Sequence, residues 1–173
     1  MEDRIIFLDI DYVVNGQHTE EKIGGQSGVD PEKLELLKNL VNYSPAKIVL
    51  TSSWRNYWDE SLYDDPVRSE DDPSPKKYGK YLNEKFAEKG LRISGKTENI
   101  HWQLRGIEVL KWIQDHDVHR FVIFDDGYFD WHKYGLGDFW VDTFSVDGAP
   151  NYDGLTEEHI EKAKQILDEK YYK

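Results

Sequence analysis

Asp9 and Asp11 stand one residue apart, directly after the apolar run Ile5-Ile6-Phe7-Leu8. Two carboxylates this close repel, and each raises the other's pKa unless a cation holds them ionised. A divalent metal is the usual cation for an oxygen-rich cluster of this kind. A second acidic pair, Asp125-Asp126, follows the apolar run Phe121-Val122-Ile123-Phe124. Thr51 and Ser52 follow a third run, Ile48-Val49-Leu50, and can offer hydroxyl and backbone N–H groups to an anion. Arg105, at the expected start of a helix, supplies a positive charge, with Lys96 and Lys111 as substitutes. Clustered acids, hydroxyls and a cation suit phosphoryl transfer. One acid can attack phosphorus, another can carry the proton, and positive charge stabilises what develops in transfer.

These groups need elements that bring them together. Short apolar runs bounded by charge read as buried strands of a parallel sheet. Open α/β folds bind ligands beyond the carboxyl ends of such strands. Strands are predicted over residues 4–9, 47–50, 121–124 and 139–141, with a weak one over 91–93. Helices are predicted over 76–89, ending at Gly90, and over 102–116, with Leu104, Ile107, Leu110 and Ile113 near one face. A first helix starts at Asp30-Pro31, Asp30 as the N-cap, and buries Leu34, Leu37, Leu40 and Val41. The last is capped by Thr156, with Glu157 and Glu158 in its first turn. His159 stands where a capping box has Glu or Gln, so a simple cap is expected. Residues 16–28, polar and holding four glycines, read as a loop over the sheet edge. The alternation predicts an α/β protein, a Rossmann-like three-layer sandwich with a central parallel sheet of about five strands. A single domain over 1–173 is expected, with minimal or no cap; residues 59–75, acidic and proline-bearing, read as an irregular excursion, and the stretch 56–75 could partly cover the site.

Bulk properties narrow the function. A chain of 173 residues, 38% hydrophobic and 14% aromatic, can bury a full core. Its net charge of -12 argues against tight, sequence-independent binding to long nucleic acid, but not against binding one phosphorylated end. The absence of cysteine rules out disulfides, thiolate metal sites and cysteine nucleophiles. Six histidines without ligand spacing make zinc improbable, and His132 reads as an exposed polar residue. Met1-Glu2-Asp3-Arg4 is no basic leader before an apolar core, so a cytoplasmic location without membrane contact is expected.

In this order, Asp9-x-Asp11, Thr51-Ser52, Arg105 and Asp125-Asp126 resemble the four motifs of the haloacid dehalogenase-like (HAD) phosphohydrolase superfamily. Ser52-Ser53-Trp54-Arg55, Arg105-Gly106-Ile107-Glu108 and Gly154-Leu155-Thr156 look closer still to the HAD domains associated with RNA-repair proteins. The resemblance spans nearly the whole chain and implies a Mg²⁺-dependent phosphatase acting through an aspartyl-phosphate. Asp9 would be the nucleophile and Asp11 the acid and then the base. A carboxylate oxygen of Asp9, the backbone carbonyl of Asp11 and a carboxylate of Asp125 or Asp126 would bind Mg²⁺. Thr51, Ser52 and Arg105 would hold the phosphoryl oxygens. The expected partner is a phosphorylated substrate, with a nucleotide or a nucleic-acid end among the candidates.

One residue departs from the pattern. The family usually has glycine after its second aspartate, where this chain has Tyr12. The alternative reading is therefore a catalytically weak HAD-like module that binds phosphate and metal. A receiver-like phosphoacceptor fits less well, because the middle strand ends in Thr51-Ser52 and not in an aspartate. Trp54, Tyr57, Trp58, Tyr128, Phe129 and Trp131 fall near the site; packing is the default role for such residues, and stacking on a nucleobase the functional alternative.

Overall fold

The apolar runs that end in acids or hydroxyls lie side by side. A computed structural model describes residues 2–101 and 103–173. In chain order its elements are β1 (Arg4–Leu8), β2 (Lys22–Ile23), β3 (Gln26–Ser27), α1 (Pro31–Tyr43), β4 (Lys47–Leu50), α2 (Lys76–Glu88), β5 (Ile93–Lys96), α3 (Arg105–Asp115), β6 (Arg120–Asp125), β7 (Trp140–Asp142), β8 (Ser145–Val146), β9 (Ala149–Pro150) and α4 (Glu157–Glu169). The main sheet has five strands in the order β5-β4-β1-β6-β7, and every neighbouring pair is parallel. Helices flank it, as the Rossmann-like reading requires. α1 packs with α4, and Trp112 of α3 meets the ring of Phe7 edge-on at 5.6 Å.

β1 is where the strand order reverses, with β4 on one side and β6 on the other. Its residues Ile5 to Leu8 are buried, as are Phe121 to Phe124 beside them, because helices cover the sheet. Leu8 pairs with Leu50 of β4 and with Phe124 of β6. The next residues, Asp9, Thr51 and Asp125, are therefore level at the carboxyl edge. Two hydrogen bonds extend the pairing beyond the strands. The Asp9 N–H donates to the Phe124 carbonyl and the Thr51 N–H to the Leu8 carbonyl, both at 3.0 Å. This is the crevice position at which open α/β sheets bind ligands.

Several elements differ from the sequence reading. Residues 16–28 contain a short hairpin of β2 and β3, turned by Gly24-Gly25 at φ 54° and 82°. Two successive positive φ values suit a tight hairpin turn and a residue without Cβ. The weak strand begins at Ile93 instead of Leu91. Leu91 donates its N–H to the Phe86 carbonyl at 2.9 Å and so completes the end of α2 beyond Gly90. α3 begins at Arg105, and the expected start at Trp102 lies outside the described residues. Its buried face is Gly106, Glu108, Val109 and Ile113; Leu104 is exposed, and Ile107 and Leu110 are partly buried. The excursion at 59–75 forms turns docked on α2, where buried Lys80 binds Asp65 at 2.9 Å and Asp72 at 2.5 Å.

The start of α4 also corrects the expectation of a simple cap. Thr156 Oγ1 accepts from the His159 N–H, and His159 Nδ1 accepts from the Thr156 N–H at 3.1 Å. The ring can accept at Nδ1 because its Nε2 lies 2.7 Å from the Ser145 carbonyl, which only a protonated nitrogen satisfies. A histidine thus completes the capping box. Burial lowers the His159 pKa below its ordinary 6.5, against the opposing Ser145 carbonyl. A depressed pKa contributes stability above the unfolded value and loses it as pH falls below. His159→Ala should lower the unfolding free energy by about 1–2 kcal/mol at pH 8, with the gap narrowing below pH 6 in denaturant titrations.

Candidate active site

Asp9 and Asp125 are both buried, 4% and 0% exposed, on adjacent strands. Arg105 reaches between them. Its Nη1 lies 3.2 Å from Asp9 Oδ1 and 2.5 Å from Asp125 Oδ2. The same guanidinium sits 4.8 Å above the ring of Phe129. Asp125 Oδ1 also accepts from the Gly127 N–H at 2.8 Å. Asp126, partly buried, completes an acidic group: one oxygen each from Asp9, Asp125 and Asp126 lie within 4.8 Å of one another.

The electrostatics follow from this crowding. Burial opposes the charge of Arg105, but the carboxylates of Asp9 and Asp125 overcome that and raise its pKa. Burial and then the charge of Asp9 raise Asp125 well above the ordinary carboxylate range. Asp126 is pushed up to about 7 by burial, by the charge of Asp9 and by a hydrogen bond with it. One guanidinium does not neutralise three acids. The donor set of carboxylate oxygens fits a hard divalent cation, which would relieve the remaining repulsion. The carboxylate of Asp11 lies outside this group.

Asp11 is instead exposed and oriented by two donors. Its Oδ1 accepts from Asn15 Nδ2 at 3.0 Å and its Oδ2 from Trp54 Nε1 at 3.2 Å. Asn15 also accepts the Tyr12 N–H at 2.8 Å and donates to the Gly28 carbonyl at 2.9 Å. Tyr12 has φ 58°, the left-handed conformation that glycine adopts freely. Thr143 Oγ1 donates to its carbonyl at 2.9 Å. Tyr12 therefore takes a turn open to glycine while carrying a side chain, held by Asn15 and Thr143.

Thr51 and Ser52 are each 1% exposed. Ser52 Oγ accepts from the Trp54 N–H at 3.2 Å and starts the turn Ser53–Tyr57. The buried Thr51 Oγ1 has no hydrogen-bond partner among the described residues, an arrangement that suits a hydroxyl kept for a phosphoryl oxygen. Arg55 fixes this loop from below. Its Nη1 donates to the Thr51 carbonyl at 2.6 Å and its Nη2 meets Glu108 Oε2 at 2.8 Å. Glu108 Oε1 accepts from the N–H groups of Ile100 and His101 at 2.8 and 3.1 Å. A buried ion pair so joins the hydroxyl loop, the loop before α3, and α3 itself. Lys96, considered beside Arg105, donates to the carbonyls of Arg55 and Trp58; Lys111 pairs with Glu98 and Asp115 away from the acids.

Asp130 is the site residue that sequence reasoning missed. Leu104, the residue before α3, makes no side-chain cap. Asp130, on the loop after β6, accepts from the N–H groups of Gly106 at 2.6 Å and Ile107 at 3.3 Å. A Cβ on Gly106 would come within 2.7 Å of that carboxylate, so the close approach needs glycine. No local pattern marks this cap, because donor and acceptor lie 24 residues apart. Trp54, Trp58 and Trp131 are packed, whereas Tyr57 and Tyr128 are exposed and Phe129 is partly buried. Trp131 Nε1 and Trp140 Nε1 donate to the carbonyls of Gly127 and Asp125, both at 3.1 Å, and hold the acidic turn. His132 is exposed.

Residues 5–160 match the family of HAD domains in Swiss Army Knife RNA repair proteins, and the chain belongs to that family. No curated protein and no solved structure matches it. Membership places the chain among HAD-type phosphohydrolase domains.

The cap on α3 controls where Arg105 sits. Asp130→Ala should cost about 1–2 kcal/mol of stability in denaturant titrations. Asp130→Asn, which keeps an accepting oxygen, should lose less than half as much.

Proposed function

We propose that the chain is a Mg²⁺-dependent phosphatase that hydrolyses a phosphomonoester through an aspartyl-phosphate on Asp9. The observation that carries this reading is the bridge of Arg105 between Asp9 and Asp125, with Asp126 beside them, at the carboxyl edge where the strand order reverses. The residues that would hold the cation are Asp9, through a carboxylate oxygen, Asp11, through its backbone carbonyl, and Asp125 or Asp126. The cation would supply charge neutralisation, so that an anionic phosphate can approach an anionic nucleophile.

The chain's own residues supply the rest. Thr51 Oγ1, the backbone N–H groups around Ser52 and the guanidinium of Arg105 bind the phosphoryl oxygens and stabilise their charge in transfer. A carboxylate oxygen of Asp9 attacks phosphorus as the bond to the leaving oxygen breaks. Asp11, exposed at the mouth and oriented by Asn15 and Trp54, gives that oxygen a proton. It then takes a proton from a water molecule, which attacks the same phosphorus. The bond to Asp9 breaks, inorganic phosphate leaves, and both carboxylates return to their starting state. The exposure of Asp11 suits a leaving group too large to be enclosed, such as a nucleotide or a nucleic-acid end. The family's description, HAD domains of RNA repair proteins, supports the same substrate class.

Tyr12 supports a second reading, a binding module with weak turnover, because its left-handed backbone is strained. Phosphate release from an aryl phosphate with Mg²⁺ separates the two. Asp11→Asn should slow turnover by about 10²- to 10⁴-fold, and Asp9→Asn should leave none above the uncatalysed rate. Full activity in Asp9→Asn would remove the proposed nucleophile; Mg²⁺ binding without turnover in the native chain would favour the module.

A further inference from the structure

The phosphate site is polar, and its rim mixes polar residues with exposed hydrophobic ones. Of the nine large hydrophobic residues left exposed among the described residues, five lie on the loops that carry the site. Tyr12 follows Asp11, Tyr57 follows Thr51-Ser52, Ile100 and Leu104 precede Arg105, and Tyr128 follows Asp125-Asp126. Scattered singly such residues are ordinary; here they recur on each of the loops that end at the acids, hydroxyls and arginine.

Tyr12 and Tyr128 stand out within this rim. Tyr12 is 42% exposed, and its side chain makes no hydrogen bond and no aromatic ring contact with a described residue. It nevertheless occupies a left-handed backbone position, at φ 58°, where glycine would be free of strain. A strained residue whose half-exposed ring has no aromatic partner and whose hydroxyl is unbonded points to a use outside the fold. Tyr128, at 76%, is the most exposed of the nine, and its ring lies 5.9 Å from that of Trp140. Trp140 in turn donates to the Asp125 carbonyl, and Thr143, three residues on, donates to the Tyr12 carbonyl. Both tyrosines thus adjoin β7, Tyr128 at its first residue and Tyr12 just past its last, and Trp140 holds the turn of the acids.

We infer that Tyr12 and Tyr128 determine specificity by stacking on a nucleobase carried by the leaving group. Stacking on tyrosine requires a flat ring but no strong positive field. That fits a chain of net charge -12, which disfavours contacts along a polyanion and leaves recognition to the nucleotide next to the scissile phosphate. A sugar phosphate or other small polar metabolite would leave the rim's apolar surface uncovered. The inference rests on the phosphatase reading for the position of the phosphate.

The test uses the full chain carrying Asp9→Asn with Mg²⁺, titrated with 2-aminopurine riboside 5′- and 3′-monophosphates. A trinucleotide with that base at its phosphorylated end is titrated alongside, and a phosphotyrosine peptide serves as competitor. Stacking should quench the base's fluorescence. Tyr12→Leu and Tyr128→Leu should each weaken binding by about 5- to 30-fold and reduce the quench, while Tyr12→Phe and Tyr128→Phe keep both. Tighter binding of the trinucleotide would identify the source as a nucleic-acid end, and equal binding as a free nucleotide. No quench, equal binding by the Leu and Phe variants, or preference for the phosphotyrosine peptide would overturn the inference. Phosphate release by the native chain is followed in parallel. Turnover without quenching refutes stacking alone, whereas quenching without turnover refutes the phosphatase reading alone.

Discussion

A single guanidinium group holds the site together. β1 and β6 pair in parallel, and their register leaves Asp9 and Asp125 level with each other at the sheet edge, both buried. Two buried carboxylates at that separation are unfavourable unless a cation compensates them, and removing one partner of such a group costs about 3–5 kcal/mol. Arg105 supplies the compensation, so the start of α3 must be positioned against the ends of two strands. Asp130 caps that start, Gly106 lets the cap approach, and Glu108, one turn further on, ties the same helix through Arg55 to the Thr51 loop. The helix is fixed at its first turn because its first residue carries the charge.

Much of this was legible in the sequence. The runs Ile5 to Leu8, Ile48 to Leu50 and Phe121 to Phe124 read as buried parallel strands because both faces of the sheet are covered and nothing interrupts their apolar character. Asp9, Thr51-Ser52 and Asp125-Asp126 could then be placed at strand ends from position alone. The parts that escaped were those made by contacts distant in sequence. Asp130 looks like one more acid in an aromatic loop, and Arg55 and Glu108, though both stand in the motifs that carry the resemblance, do not reveal from sequence that they pair. His159 was read against the usual Glu or Gln of a capping box, and the imidazole served the same purpose once Ser145 took its other nitrogen. On α3 the apolar spacing finds Ile113 and the partly buried Ile107 and Leu110, but not Gly106 and Glu108, which face inward for steric and polar reasons that a hydrophobic pattern does not record.

The acidic site and the acidic chain point the same way. With Asp9, Asp125 and Asp126 facing one arginine, the affinity for phosphate that the proposed function requires would come from a few buried donors and from whatever neutralises the cluster, not from a broad basic surface. Tyr12 belongs to this economy. The chain keeps the turn that aims Asp11 and accepts backbone strain to place an aromatic side chain at the mouth, with Asn15 serving both the turn and the carboxylate.

The proposed mechanism requires that Asp9 become covalently phosphorylated during turnover. Borohydride reduces an acyl phosphate to an alcohol, so quenching the native chain during turnover and reducing it would convert a phosphorylated aspartate into homoserine. Peptide mass spectrometry should find that conversion at position 9, and only when both substrate and Mg²⁺ are present. Turnover with an unmodified Asp9, or with the conversion at another carboxylate, would contradict the account.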